Sequence, residues 1–134
     1  MSTPFLTNQV SLKTYMALNY LNDFNPDTCQ FETEIKYPKP GQIFYFYTSN
    51  PKLVDNYKID GYSWFNNGGD KLLHNDQIIK TFYNVKTYDS TLGKLITSKD
   101  FKKEIYMLPN KKPPYLIHYT SSLENVVIRP HGNV

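Results

Sequence analysis

Asp60 and Gly61 lie between two short runs with strand spacing, and no other stretch limits the path of this chain as sharply. Residues 56–64 read Asn-Tyr-Lys-Ile-Asp-Gly-Tyr-Ser-Trp. Tyr57 and Ile59 alternate around Lys58, and Tyr62 and Trp64 alternate around Ser63. Asp-Gly is a strong hairpin signal, because glycine adopts φ > 0 without steric cost. The expectation is a hairpin that sets the single tryptophan of the chain beside a lysine. That pairing suits a nucleic-acid surface, and it equally suits a half-buried sheet.

The flanking patterns define the rest. Residues 1–8 read as a polar tail, with Thr7 or Asn8 as the cap of a helix over 9–22. Leu12, Tyr15, Met16, Leu18 and Leu21 fall near helical spacing and form its core stripe. Asn25-Pro26 ends it. Pro38, Pro40 and Gly41 keep 28–41 irregular. Gln42 to Tyr47 is an aromatic and β-branched run, read as a buried strand. Pro51 opens a turn or short helix. Asn66-Asn67-Gly68-Gly69-Asp70 is the strongest turn signal in the chain. Residues 76–88 divide near Thr81, helical before and strand after. Residues 89–99 read as a polar loop. Phe101 to Leu108 and Tyr115 to Tyr119 read as strands of one hairpin, joined through the lysine- and proline-rich turn 110–114. A short apolar run, Val126-Val127-Ile128, precedes Arg129-Pro130-His131. The expected architecture is α+β: a mostly antiparallel sheet with an N-terminal helix and one or two short helices. One domain spans 9–122, and 123–134 is an extension.

At 134 residues the chain is long enough for a core without metal or disulfide staples. Cys29 is the only cysteine, so no internal disulfide forms. No apolar run approaches membrane-span length, and the N-terminus lacks a signal-peptide pattern. An intracellular protein without a membrane partner is expected.

Net charge is +3, unevenly placed. Residues 1–35 carry Lys13 against Asp23, Asp27, Glu32 and Glu34, whereas 36–134 carry thirteen lysines and Arg129 against eight acidic groups. The basic charge belongs to the body of the domain, where lysines neutralise phosphates or simply face solvent. Arg129 is the only arginine. Arginine forks onto guanine, while lysine meets phosphate as a point charge. Such a composition favours backbone contact over guanine recognition.

Catalytic patterns find little footing. His74, His118 and His131 are far apart and match no metal-ligand spacing. Phosphate-loop, nucleophile-elbow and zinc-protease motifs are absent, and Gly68-Gly69 lacks the Gly-Lys-Ser/Thr that would make it a phosphate loop. A Cys29–His74 or Cys29–His118 pair is the one nucleophile arrangement the residues allow, and it is weak. His118 reads as a sheet histidine hydrogen-bonded to a neighbour. No enzyme activity, cofactor, metal or small-molecule substrate is expected.

Binding chemistry is denser. Lys58, Trp64, Asn66, Asn67, Lys71, His74 and Lys80 fall within 23 residues. Asparagine reads adenine edges, lysine contacts phosphate or guanine, and an aromatic stacks or wedges. Lys99, Lys102 and Lys103 form a second cluster, and Lys111 with Lys112 a third at a hairpin tip.

The order of these pieces resembles the CG-one domain, the DNA-binding module of calmodulin-binding transcription activators. Leu18, Tyr20 and Leu21 end the first helix, and Pro40-Gly41 precedes Ile43-Phe44-Tyr45-Phe46. The closest block is Tyr57-Lys58-Ile59-Asp60-Gly61-Tyr62-Ser63-Trp64. Lys71 and His74 follow, then Phe82-Tyr83, then Phe101, Tyr106 and Leu108, then Leu116-Ile117-His118-Tyr119. The resemblance covers about residues 12–120 and marks a divergent relative or an isolated domain. It implies a nuclear, transcription-related module that binds double-stranded DNA. Where that family commonly carries basic residues after the tryptophan, this chain has amides and glycines, so a CGCG-type preference loses its guanine donors. On this reading Lys58, Lys71, Lys80, Lys102, Lys103, Lys111 and Lys112 meet phosphates. Asn66, Asn67 and His74 reach base edges, and Trp64 braces that loop from the core or lies against the sugar-phosphate backbone. The rival expectation is a protein-interaction module that keeps the fold without binding DNA.

Overall fold

A computed structural model describes residues 6–7, 12–47 and 60–121. The first arm of the expected hairpin (Tyr57, Lys58, Ile59), the element at Pro51, Asn8 and the 126–131 segment lie outside the described residues. The elements are β1 (Leu6–Thr7), α1 (Thr14–Asp23), β2 (Gln42–Phe46), β3 (Trp64–Leu73), β4 (Ile78–Asp89), β5 (Lys94–Met107) and β6 (Tyr115–Ser121). The six strands form one antiparallel sheet in the order β1-β2-β6-β5-β4-β3, so the fold is α+β with the sheet dominant. Among the described residues α1 is the only helix. Leu6 and Thr7, inside the segment read as a tail, pair with Ile43 and Gln42.

The pleat explains the core. In β6 successive side chains point to opposite faces, and every residue from Tyr115 to Ser121 is buried. Tyr115, Ile117 and Tyr119 join Phe44, Phe46, Ile79, Val85, Phe101 and Ile105 on one face. Leu116 joins Ile43, Tyr45, Ile78 and Tyr106 on the other, beneath Ala17, Leu18 and Leu21 of α1. The helix starts later than its apolar stripe indicated. Lys13 precedes its first turn without a side-chain cap, and Leu12 is buried ahead of it. It ends at extended Phe24. Asn25 then turns the chain, its Oδ1 accepting from the Asp27 amide at 2.9 Å.

Three expectations are corrected. Residues 66–70 do not reverse the chain. Asn66 pairs with Tyr83 and Asp70 with Thr81, so β3 advances four residues while β4 advances two. The amide-glycine run is a two-residue bulge, in which Gly68 (φ +93°) and Gly69 (φ +75°) take the left-handed backbone. The reversal comes instead at residues 74–77, where His74, Asn75 and Asp76 all have positive φ. His74 therefore begins a turn. Residues 78–89 are one continuous strand, because Ile79 to Asp89 pair with β5 and Ile78 to Thr81 and Tyr83 to Val85 pair with β3 on the other side. The apparent helical spacing there loses to pairing. The loop expected over 89–99 shrinks to a turn at 90–93, after which β5 pairs back from Lys94.

Asp60-Gly61 does form a turn, with Gly61 at φ +91°. A Cβ at Gly61 would overlap the ring edge of Tyr37, but that ring is exposed and has room to swing away. The backbone strain remains. Gly61→Ala is expected to destabilise the fold by about 1–2 kcal/mol, measured by urea unfolding. Adding Tyr37→Ala should leave most of that loss in place; full recovery would show that the ring, not φ, sets it.

Candidate nucleic-acid interface

Two buried networks decide which charged side chains remain for a ligand. Asp60 is fully buried. Its Oδ1 accepts from the Trp64 indole N–H at 2.9 Å and from the Tyr62 amide at 3.2 Å. Its Oδ2 accepts from Lys103 Nζ at 3.1 Å and from the Tyr119 hydroxyl at 2.8 Å. Lys103 is also fully buried, 4.9 Å from the centre of the Trp64 ring. Burial pulls its pKa down, and the Asp60 charge and hydrogen bond oppose that shift. Burial likewise pushes the Tyr119 hydroxyl well above its ordinary range, which keeps it a donor.

This overturns one site expectation and decides another in favour of its core alternative. Lys103 contacts Asp60 and not a phosphate. Trp64, 2% exposed, packs against Tyr62, Phe101 and Tyr119 and cannot lie along a sugar-phosphate backbone.

The second network lies on the opposite sheet face. Glu104 accepts from Lys80 Nζ at 3.1 Å and from His118 Nδ1 at 3.1 Å, and Tyr106 donates to it at 3.3 Å. Burial acts to raise the Glu104 pKa. The His118 hydrogen bond and the Lys80 charge outweigh it and hold the carboxyl below its ordinary value. Lys80, buried and 4.4 Å from the centre of the Phe82 ring, is also withdrawn from any phosphate. His118 is the hydrogen-bonded sheet histidine that its strand position indicated.

The remaining residues separate by location. His74 stands exposed in the β3–β4 turn. Lys111 and Lys112 are exposed in the turn before β6, and Lys111 Nζ meets Asp70 at 3.2 Å. Asp70 is held below its usual pKa by the Thr81 hydroxyl and by Lys111. Lys58 lies outside the described residues.

Asn67, Lys71 and Lys102 do come together. With Phe82, Tyr83 and Asn84 they line an open cleft of about 320 Å³ across β3, β4 and β5. The ladder makes this possible. Lys71 stands opposite Lys80, and Asn84 opposite Lys102. Lys80, Phe82 and Asn84 alternate along β4, so one face carries all of them. The bulge lets Asn67 Nδ2 reach Asn84 Oδ1 at 3.2 Å. Lys71 Nζ lies 5.1 Å from the centre of the Phe82 ring. Asn66 is exposed on the bulge, its Oδ1 accepting from the Gly69 amide at 2.8 Å. Phe82 and Asn84 were missed as site residues. Their signal was the alternation Lys80-Phe82-Asn84, visible only once β4 is read as one strand.

Elsewhere, Cys29 Sγ lies 4.0 Å from the Asp23 carbonyl and 3.4 Å from the Asn25 amide, within the loop after α1. Among the described residues no cluster of His, Cys, Asp or Glu is placed to hold a metal. No described helix is long and apolar enough to cross a membrane. The chain matches no family model, no curated protein and no solved structure.

Breaking a buried ion pair by removing one partner costs about 3–5 kcal/mol. Lys103→Met should therefore lose stability on that scale in chemical denaturation, while its neighbour Lys102→Met should lose less than about 1 kcal/mol. Similar losses would refute the separation of the two lysines. The sign of the Glu104 shift gives a pH test. Its folded pKa is depressed, so its contribution is complete above the ordinary glutamate value of 4.5 and is lost as pH falls through the folded value. Below pH 4.5, wild-type stability should fall more steeply with acid than that of Glu104→Gln.

Proposed function

We propose that this domain binds double-stranded DNA through the sheet face that carries Lys71 and Lys102. One observation supports this above the others. Two lysines and two asparagine side chains from three strands converge on one cleft with no carboxylate in its lining. Among the described residues no acidic group forms an ion pair with Lys71, Lys102 or Lys112. Cations without internal partners are the ones that release counterions from phosphate.

The amides are partly engaged. Asn67 gives an N–H to Asn84, and Asn66 gives its carbonyl to Gly69. Asn67 keeps a carbonyl and one N–H for a base edge, and Asn66 keeps its donors. The likeness to the CG-one domain belongs to this proposal. Its closest block, Asp60-Gly61-x-x-Trp64, is buried scaffold here, so it speaks for a shared core and not for shared base contacts. The reading implies a nuclear, transcription-related setting.

Of the seven lysines expected to meet phosphate, Lys58 lies outside the described residues and Lys80, Lys103 and Lys111 are ion-paired, which leaves Lys71, Lys102 and Lys112 among the described residues. Three contacts give a slope of log K against log salt near −2.7, at about −0.9 per contact. Lys71→Ala with Lys102→Ala should make it shallower by about 1.8. A salt series by duplex anisotropy measures both. A slope shared by wild type and the double variant would reject this face as the contact surface.

A second reading, a protein-interaction module, has its own observation. Tyr88 and Leu95 are cross-strand partners on the β4–β5 hairpin, 54% and 52% exposed, and Leu92 is exposed at its turn. Phe65 and Leu72 are exposed on the edge strand β3. Absence of duplex binding at low salt would favour this apolar surface.

A further inference from the structure

The cleft floor differs from a plain phosphate site. Phe82 is its aromatic base. Lys80, anchored at 3.1 Å by Glu104, sits 4.4 Å from the centre of that ring. Lys71, exposed, lies over the same ring at 5.1 Å from its centre, so a base stacking on that side takes the place of its ammonium. Asn84 Oδ1 accepts from Asn67 Nδ2. That bond leaves the Asn84 N–H groups and the Asn67 carbonyl as a donor–acceptor edge beside the ring. Lys102 stands across the ladder from Asn84.

A planar aromatic, an adjoining amide edge and two flanking cations are the complement of a base carrying its phosphate. A volume of about 320 Å³ falls in the range of small-ligand sites. A stacked base pair presents only its edges to a protein, so the rigid convex duplex would pass over the Phe82 floor. The lining holds no acidic residue that would select a cation or repel phosphate.

We infer that the cleft formed by Asn67, Lys71, Phe82, Asn84 and Lys102 accommodates a single unpaired nucleotide, its base on Phe82 and its phosphate between Lys71 and Lys102. The inference deepens the DNA reading of the same face: the duplex is held by its backbone, and an unstacked position within it enters the cleft. A free nucleoside monophosphate offers the same chemistry, so the two sources need separate arms.

The test uses 2-aminopurine as the reporting base. Three ligands are titrated into the full chain: a fully paired duplex, the same duplex with one unpaired 2-aminopurine, and free 2-aminopurine deoxyribonucleoside monophosphate. Anisotropy reads the duplexes, and 2-aminopurine fluorescence reads the base. The unpaired duplex should bind roughly ten- to a hundredfold tighter than the paired one, the range of one base–aromatic stack. Its fluorescence should change on binding. Phe82→Ala should remove that preference, bringing the affinity of the unpaired duplex to that of the paired one. Lys71→Glu, on an exposed side chain, should weaken all three ligands, which keeps the test decisive if Phe82→Ala unfolds. Equal affinity for the two duplexes overturns the inference and leaves duplex binding standing. Failure of both duplexes with saturable, Lys71-dependent binding of the monophosphate supports the cleft and removes the DNA reading. Binding of none of the three overturns both.

Discussion

The buried Asp60 carboxylate is the interaction on which this fold turns. A lone carboxylate in an apolar core costs several kcal/mol. Here it receives four donors from three parts of the chain: the Tyr62 amide, the Trp64 indole, Lys103 on β5 and the Tyr119 hydroxyl on β6. Satisfying Asp60 therefore pins the entry into β3 across the inner face of β5 and β6. Trp64 follows into the core against Phe101 and Tyr119. Gly61 matters for the same reason, since the chain must turn sharply while its neighbour stays buried.

The opposite face carries a second polar centre built on Glu104. Adjacent residues of β5 are thus divided by the pleat: Lys103 serves Asp60 on one side, and Glu104 serves Lys80 and His118 on the other. Both networks are fully satisfied, and among the described residues no buried side-chain polar atom lacks a partner. Each removes one lysine and one carboxylate from the surface. The basic character of the body survives in net charge but rests on fewer exposed cations. The cleft at Lys71 and Lys102 is where two of them meet beside an aromatic ring.

Much of the fold was legible. The runs read as buried strands at 42–47 and 115–119 hold the strands Gln42–Phe46 and Tyr115–Ser121, because aromatic and β-branched residues suit a buried, pleated segment. Proline at 26 bars the helix from running through residue 25, for a reason carried by its own ring, and the last helical residue is Asp23. The errors share a cause. Asn66 to Asp70 has real turn chemistry, and its glycines do take positive φ, yet a bulge and a reversal require the same local backbone. The ladder to β4 selects the bulge. Ile78, Ile79 and Phe82 fit a helical period, but pairing with β3, with both neighbours and with β5 respectively holds them extended.

The candidate site was half visible. Asn67, Lys71 and Lys102 were accessible from residue type, because amide and ammonium groups keep their chemistry wherever the chain takes them. Lys80 and Lys103 looked the same in sequence and serve a different purpose. Local sequence alone determined the helix stop, the aromatic strands, the glycine turn at Gly61 and the stock of cations. Tertiary structure alone decided which cations stay outside. That outcome depends on strand phase and on partners such as Asp60, 43 residues from Lys103. A charge is retained inside only where a distant group of opposite sign offsets its desolvation, and no local pattern contains that group.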